Sequence, residues 1–267
     1  NDNGNKRKLS KRKDPEAAVS YYEEEGIPKE AVKEYLLNIA NSNFENWRRQ
    51  NQEKDISEFE LMLNKMSVSG ALFDMTKLLD VGKTVISRFT AKKVYDESKK
   101  WAKRHDQELA KLLEDEEYAL KVFGIERGNK KPRKDISKWS EVKENISYMY
   151  DEMFYKEKQD YPYQVINNKE EIKNILNLYI EKYYNELDDK QTWFDKIKEL
   201  SGSLGYAKEV KEFKANSELY KAHVGDVSTV LRVALTSRTN TPDMYEIMKV
   251  LGKETVEKRI KSAIEAL

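Results

Sequence analysis

Apolar residues recur along this chain at three- and four-residue spacing, and alternation at every second residue never persists beyond a few positions. Val32, Tyr35, Leu36 and Ile39 give one apolar face to a helix that opens at Pro28, just after a stop at Gly26. Residues 41–52 are polar apart from Phe44 and Trp47 and predict a short helix with Arg48 and Arg49 facing out. Residues 59–66 are apolar and are predicted to pack inward. A turn beginning at Ser69-Gly70 leads to Asp74, a cap for a short helix through Leu78 and Leu79. Val94, Ser98, Trp101 and Ala102 share the next face, and Leu109, Leu112 and Leu113 another beyond a break at His105-Asp106. Gly124 closes a helix holding Tyr118, Val122 and Phe123.

Ser137 predicts the cap of a single helix through Trp139, Val142, Ile146, Met149, Tyr150 and Met153. Residues 159–168, polar and interrupted by Pro162, read as a linker. Beyond them Ile172, Ile175, Leu176, Tyr179 and Tyr183 mark an amphipathic helix. Trp193, Ile197, Leu200 and Leu204 mark its antiparallel neighbour, and Val224, Val227, Leu231 and Ala234 a third. Thr241-Pro242 predicts an N-cap with a first-turn proline, and Gly252 the end of that helix. Val256, Ile260, Ala263, Ile264 and Leu267 form the last stripe. No internal repeat is present, and the fold class is all-α. Trp101, Trp139 and Trp193 lie on these stripes and are predicted to be core residues, not platforms for a base.

Composition narrows the chemistry. The chain has 267 residues, enough for two or three domains. Its 49 basic and 48 acidic residues leave a net charge of +1, so only local patches can select a polyanion. The absence of cysteine excludes disulfides and thiolate chemistry, and two isolated histidines, His105 and His223, argue against a histidine metal centre. No apolar run approaches the roughly 20 residues that span a bilayer. No signal peptide is visible, so the cytoplasm is the expected compartment and no membrane partner is expected. The chain starts at Asn1 rather than Met, which reads as part of something longer.

Two basic runs stand out. Six of the eight residues 6–13 are basic, and Asp14-Pro15 follows as a helix start. Residues 127–134 hold five basic residues, no acid, a glycine and a proline, which makes them a loop.

The first run resembles a known signature. Lys8-Leu9-Ser10-Lys11-Arg12 is similar to the KMSKS-type loop of class I aminoacyl-tRNA synthetases, in the form ending in Arg that glutamyl-tRNA synthetases use. Three later segments resemble that family in the same order. They are Gly26-Ile27-Pro28-Lys29-Glu30-Ala31 with Tyr35-Leu36; Ala71-Leu72-Phe73-Asp74 with Lys77-Leu78; and Leu231-Arg232-Val233-Ala234-Leu235-Thr236 with Thr241-Pro242 and Val250-Leu251-Gly252-Lys253-Glu254. One match is cheap; four in order are specific.

The resemblance implies the bacterial-type family, with a stem-contact region followed by a two-part helical anticodon-binding domain. It divides the chain into 1–88 (end of the catalytic half and stem contact), 89–160 and 161–267 (two anticodon-binding subdomains). The family's nucleotide-binding fold would lie before the loop, so the chain alone is expected to be inactive, with no catalytic residue and no metal ligand of its own. The implied reaction joins glutamate to its tRNA through glutamyl-adenylate, with ATP, and Mg in the complete enzyme. Lys8, Leu9, Ser10, Lys11 and Arg12 would form the ATP loop, Lys11 meeting the phosphates. Arg232, Thr241, Pro242 and Met244 fall on the family's anticodon-contacting positions. Arg127, Lys130, Lys131, Arg133 and Lys134 could follow the tRNA backbone or form a solvated loop. Ser237-Arg238 stands where the family often has Gly. The expected partners are tRNA for glutamate, ATP and L-glutamate, and the expected state is a monomer. A helical protein-interaction module of shared ancestry is the alternative.

Overall fold

The computed structural model describes residues 8–10, 12–66, 70–156 and 160–267. Among them helices and turns account for the regular structure, and the only pairings of β type are two isolated bridges, Asn41 with Met66 and Ala207 with His223. The all-α class holds. The chain folds as two compact units, residues 1–145 and 146–267.

In the first unit, α1 (Val19–Glu24) leads through Gly26 into α2 (Lys29–Ala40), followed by α3 (Phe44–Gln50) and α4 (Met75–Ser87). α2 and α4 pack together around Ile27, Ala31, Tyr35, Leu78 and Val85. Asp74 caps α4 as its sequence predicts, accepting from the Lys77 amide at 3.1 Å, while its own N–H donates to the Tyr35 hydroxyl at 2.6 Å. Gly82 is required in α4: a Cβ there would meet the Ser137 carbonyl oxygen at 2.4 Å. α5 (Ala91–His105), α6 (Gln107–Leu112) and α7 (Glu116–Gly124) form a second layer, with Thr90, Asp106 and Asp115 as side-chain caps. Val94, Ser98 and Ala102 are buried and Trp101 is half-buried, so the predicted face of α5 is the inward one.

Three expectations fail in this unit. Within residues 59–66 only Phe59 packs inward, edge-on to Phe44 and Trp47 at 5.0 and 5.3 Å between centroids, whereas Leu61, Met62, Leu63 and Met66 are exposed, Leu63 at 80%. The segment is held by its backbone instead, with the Asn41 amide donating to the Met62 carbonyl and Ser42 N–H to Lys65 O. Arg48 does not face out; its side chain is 11% exposed and shares the buried Glu34 carboxylate with Arg88, at 3.0 and 2.5 Å. Leu36 is exposed, because Ala31 and Tyr35 define the buried face of α2.

The helix expected from Ser137 to Met153 is broken into short turns, including α8 (Val142–Ile146), a 3₁₀ turn at Ser147–Met149, and α9 (Asp151–Phe154). Tyr150 is extended (φ −107°, ψ 120°).

The cause lies in the second unit. There α10 (Lys169–Leu178) runs into a π turn at Tyr179–Tyr183, followed by α11 (Lys190–Ser203), α12 (Val210–Ala215), α13 (Val224–Thr236) and α14 (Met244–Ala266), which Gly252 interrupts at φ +77°. α13 is central, burying Val227, Leu231 and Ala234 against α10, α11 and α14. On the second half of α14, Arg259 is fully buried. It donates to the carbonyls of Tyr148 (2.6 Å) and Leu235 (2.8 Å) and to Asp151 Oδ1 (2.8 and 3.1 Å), and its guanidinium lies 3.9 Å from the Phe154 ring centroid. A Tyr148 carbonyl turned toward Arg259 is not available to continue a helix.

Burial alone pushes the Asp151 carboxyl up, but hydrogen bonds from Arg259 and Lys258 outweigh it and hold it below the ordinary carboxylate range. Such a group stabilises the fold above its unfolded value and loses that contribution as pH falls through the lower folded value. Stability is therefore expected to fall below about pH 4, near the ordinary Asp value, and Asp151→Asn is expected to flatten that acid limb in chemical denaturation. Arg259→Met, which strands two carbonyls and a carboxylate, is expected to cost about 3 kcal/mol in the same assay.

Candidate nucleic-acid interface

The end of α13 and the start of α14 are joined by a short loop that Arg232 holds from within. Its Nη1 donates to the carbonyls of Thr241 (3.1 Å) and Pro242 (2.9 Å) and closely to the Thr241 hydroxyl. This fixes the loop's shape and accounts for a shift in the helix start. Thr241 does not cap α14, since its hydroxyl faces Arg232. Asp243 does so two residues later, accepting from the Glu246 amide at 3.0 Å, and Met244 is the first helical residue. Thr241 and Met244 are buried, Pro242 is half-buried and Asn240 is exposed. At the other end Ser237 adopts the left-handed conformation (φ +53°) that glycine usually fills, and ends α13. Arg238 then lies over the Tyr148 ring, 4.9 Å from its centroid.

The second basic run is indeed a loop, and the structure sorts its five cations. Arg127 turns inward: Nε donates to Phe123 O (2.9 Å) and Nη1 to Ile86 O (2.8 Å) and Phe89 O (3.1 Å), and burial pushes its guanidinium pKa down. It ties the ends of α4 and α7 together. Arg133 pairs with Asp135 at 2.6 Å, and Lys134 donates to the Thr84 hydroxyl at 3.1 Å. Lys130 and Lys131 are exposed at the tip. The loop forms one wall of an open groove of about 2560 Å³ lined also by α3 and α4. Eight basic residues line it (Arg48, Arg49, Lys77, Arg88, Arg127, Lys130, Lys131, Lys134) against four acidic ones (Glu34, Glu45, Glu53, Asp80). The excess of four positive charges contrasts with +1 for the whole chain. A groove of that sign attracts a phosphate backbone. Sequence reasoning missed Arg49, Lys77 and Arg88 as its members, because they are scattered over forty positions and meet only in the fold.

The first basic run is partly described. Ser10 N–H donates to Asp14 Oδ2 at 2.7 Å, and the amides of Lys13 and Asp14 donate to Ser10 O. Asp14, buried, thus spends its carboxylate closing this turn and makes no side-chain cap to the 3₁₀ turn that follows. Lys8, Leu9 and Arg12 are exposed; Lys11 lies outside the described residues. The closed turn leaves the cations of Lys8 and Arg12 at the surface. Among the described residues no group of carboxylates and imidazoles suited to a metal ion is formed, and no helix is long and apolar enough to cross a membrane.

Residues 107–264 match the sequence family described as an anticodon binding domain. The chain belongs to that family. Over 262 residues it is 50% identical to a glutamate–tRNA ligase of Clostridium perfringens (strain SM101 / Type A), covering 97% of this chain and 47% of the relative. Over 263 residues it is 48% identical to the glutamate–tRNA ligase of Clostridium beijerinckii, again covering 97% and 47%. The crystal structure of a glutamate tRNA ligase from Elizabethkingia meningosepticum, in complex with its amino acid, superposes with a TM-score of 0.60 at 20% identity, covering 98% of this chain and 49% of that one; the likeness is one of fold. The chain spans about half the length of the curated relatives it matches.

Both the Arg232 node and the 127–134 loop lie inside the anticodon-binding domain, whereas the Lys8–Arg12 turn lies before it. Within that domain Arg127 and Lys131 are expected to behave differently. Arg127→Gln should lower unfolding stability by about 1–3 kcal/mol, since three carbonyls lose a charged donor. Lys131→Gln should stay within about 0.5 kcal/mol.

Proposed function

We propose that the chain is the tRNA-binding part of a glutamate–tRNA ligase. The observation that carries the reading is identity of about half over nearly the whole chain to ligases of that name, in a chain whose anticodon-binding domain contains the Arg232-pinned loop. In the reaction, the glutamate carboxylate attacks the α-phosphate of ATP, releasing pyrophosphate, and the acyl group then passes to the 3′-terminal adenosine of tRNA. In this reading Lys8, Leu9, Ser10, Lys11 and Arg12 form the ATP loop, Lys11 meeting the phosphates, with Mg²⁺ in the complete enzyme. Arg232, Thr241, Pro242 and Met244 form the anticodon-contacting loop, Thr241 and Met244 shaping it from beneath the surface. Residues 1–88 serve stem contact, 89–160 and 161–267 the anticodon. The groove carrying Lys130 and Lys131 follows the backbone. The chain works in the cytoplasm as a monomer.

The exposed apolar run Leu61–Met62–Leu63 favours a second reading, a helical module that binds protein. Binding to glutamate tRNA at two salt concentrations separates them. The first reading expects cognate binding that weakens steeply with salt. Lys130→Ala with Lys131→Ala should lower the salt slope by about two. Arg232→Ala should weaken binding roughly tenfold or more while the helical circular dichroism persists. Equal binding to any RNA, or none at low salt, supports the second. These residues alone are expected to give no ATP–pyrophosphate exchange.

A further inference from the structure

A separate cavity opens in the second unit, between the π turn after α10, the start of α11 and the first half of α14. It encloses about 410 Å³ including its open mouth. Three rings line it: Tyr184, Trp193 and Tyr245. Trp193 and Tyr245 stand 6.1 Å apart between centroids. The floor is rigid: Trp193 Nε1 donates to the Tyr179 hydroxyl at 3.1 Å, and that hydroxyl points to Met248 Sδ at 3.3 Å. Tyr245 is fixed by its hydroxyl donating to Asp188 O at 2.9 Å. The mouth carries two exposed lysines, Lys249, which donates to Glu186 O, and Lys253.

The rare feature is the π turn. Its extra residue closes the Tyr184 N–H onto Tyr179 O at 2.7 Å, and Tyr184 itself is extended. This delivers a half-buried phenol to the cavity wall. Such turns are uncommon and tend to mark functional positions. Among the described residues the Tyr184 hydroxyl has no hydrogen-bond partner. Burial pushes that phenol up to about 12, so at neutral pH it is an uncharged group able both to donate and to accept. Tyr245 lies only three residues beyond Pro242, so the cavity and the Arg232-held loop share the same end of α14.

We propose that this cavity receives one unstacked nucleobase of bound RNA, its face against Tyr184 and Tyr245, its flanking phosphate at Lys249 and Lys253. Aromatic rings flanked by lysines are the chemistry by which single-stranded bases are held; the same wall also carries Glu186 and Asp188, the latter paired with Lys196 at 2.7 Å, so the base, not the charge, is what the cavity selects. The inference rests on the tRNA-binding reading, but uses residues that the Arg232 loop does not.

The test uses the chain and the anticodon stem-loop of glutamate tRNA, with an abasic site placed at each loop position in turn. One abasic position should weaken binding, by roughly 5- to 100-fold. Tyr184→Leu should weaken binding of the intact stem-loop by a similar factor and make that abasic position neutral. Tyr184→Phe should retain most of the affinity. With 2-aminopurine at that position, the unaltered chain should quench its fluorescence on binding, a readout independent of any variant's folding. The proposal is overturned if Tyr184→Leu binds like the unaltered chain while Arg232→Ala weakens; the anticodon reading then survives without the cavity. Loss of abasic sensitivity at every position, unquenched 2-aminopurine, or no binding of the stem-loop at all would overturn it too, the last together with the reading it rests on.

Discussion

A guanidinium with no access to solvent is costly unless every donor finds an acceptor, and Arg259 imposes that condition on the second unit. Its acceptors come from two regions remote from it in sequence: the adjoining turns at Tyr148 and Asp151, and the last turn of α13 at Leu235. The Leu235 carbonyl is one of those that a helix end leaves without an intrahelical partner, so Arg259 also serves as a terminator for α13. The loop that Arg232 holds begins two residues later. The geometry of the candidate anticodon face is thus set partly by a side chain on the far half of α14, which no RNA need touch.

Arginine and lysine divide the work. Arg48, Arg127, Arg232 and Arg259 each bond two or more backbone carbonyls, a task suited to a planar fork with several donors. Lys130, Lys131, Lys249 and Lys253 stay exposed as point charges on flexible stems. A basic run in the sequence is therefore a mixture. In 127–134 the first residue belongs to the framework and the tip residues face water, though all five look alike on paper.

The helices were legible where a stripe and a cap coincide, as at Asp74 with Leu78, or along Val224, Val227, Leu231 and Ala234. Local chemistry suffices there. Apart from the exposed apolar residues at Leu36 and 61–66, the failures share another cause: a polar group taken by a partner outside the local pattern. The Tyr148 carbonyl goes to Arg259, which breaks the helix expected from Ser137. Thr241 goes to Arg232, which moves a cap by two residues. Asp14 turns back to Ser10, and Arg48 inward to Glu34. Arg259 had a visible signal, a cation beside Val256, Ile260 and Ala263 on an otherwise apolar stripe. The π turn had none, since its residues continue the stripe of α10 without a break.

Gly252 gives this arrangement a useful property. A continuous helix fixes the angular relation between any two of its residues, so the faces around Tyr245 and Arg259 would be locked to one another. A residue at φ +77° with ψ 164° resets that angle. The half bearing Met244, Tyr245 and Met248 can then vary in what it presents without rotating the half that bears Arg259. The break works as a phase insulator: recognition can drift during evolution on one side of it while the buried electrostatics on the other stay in register.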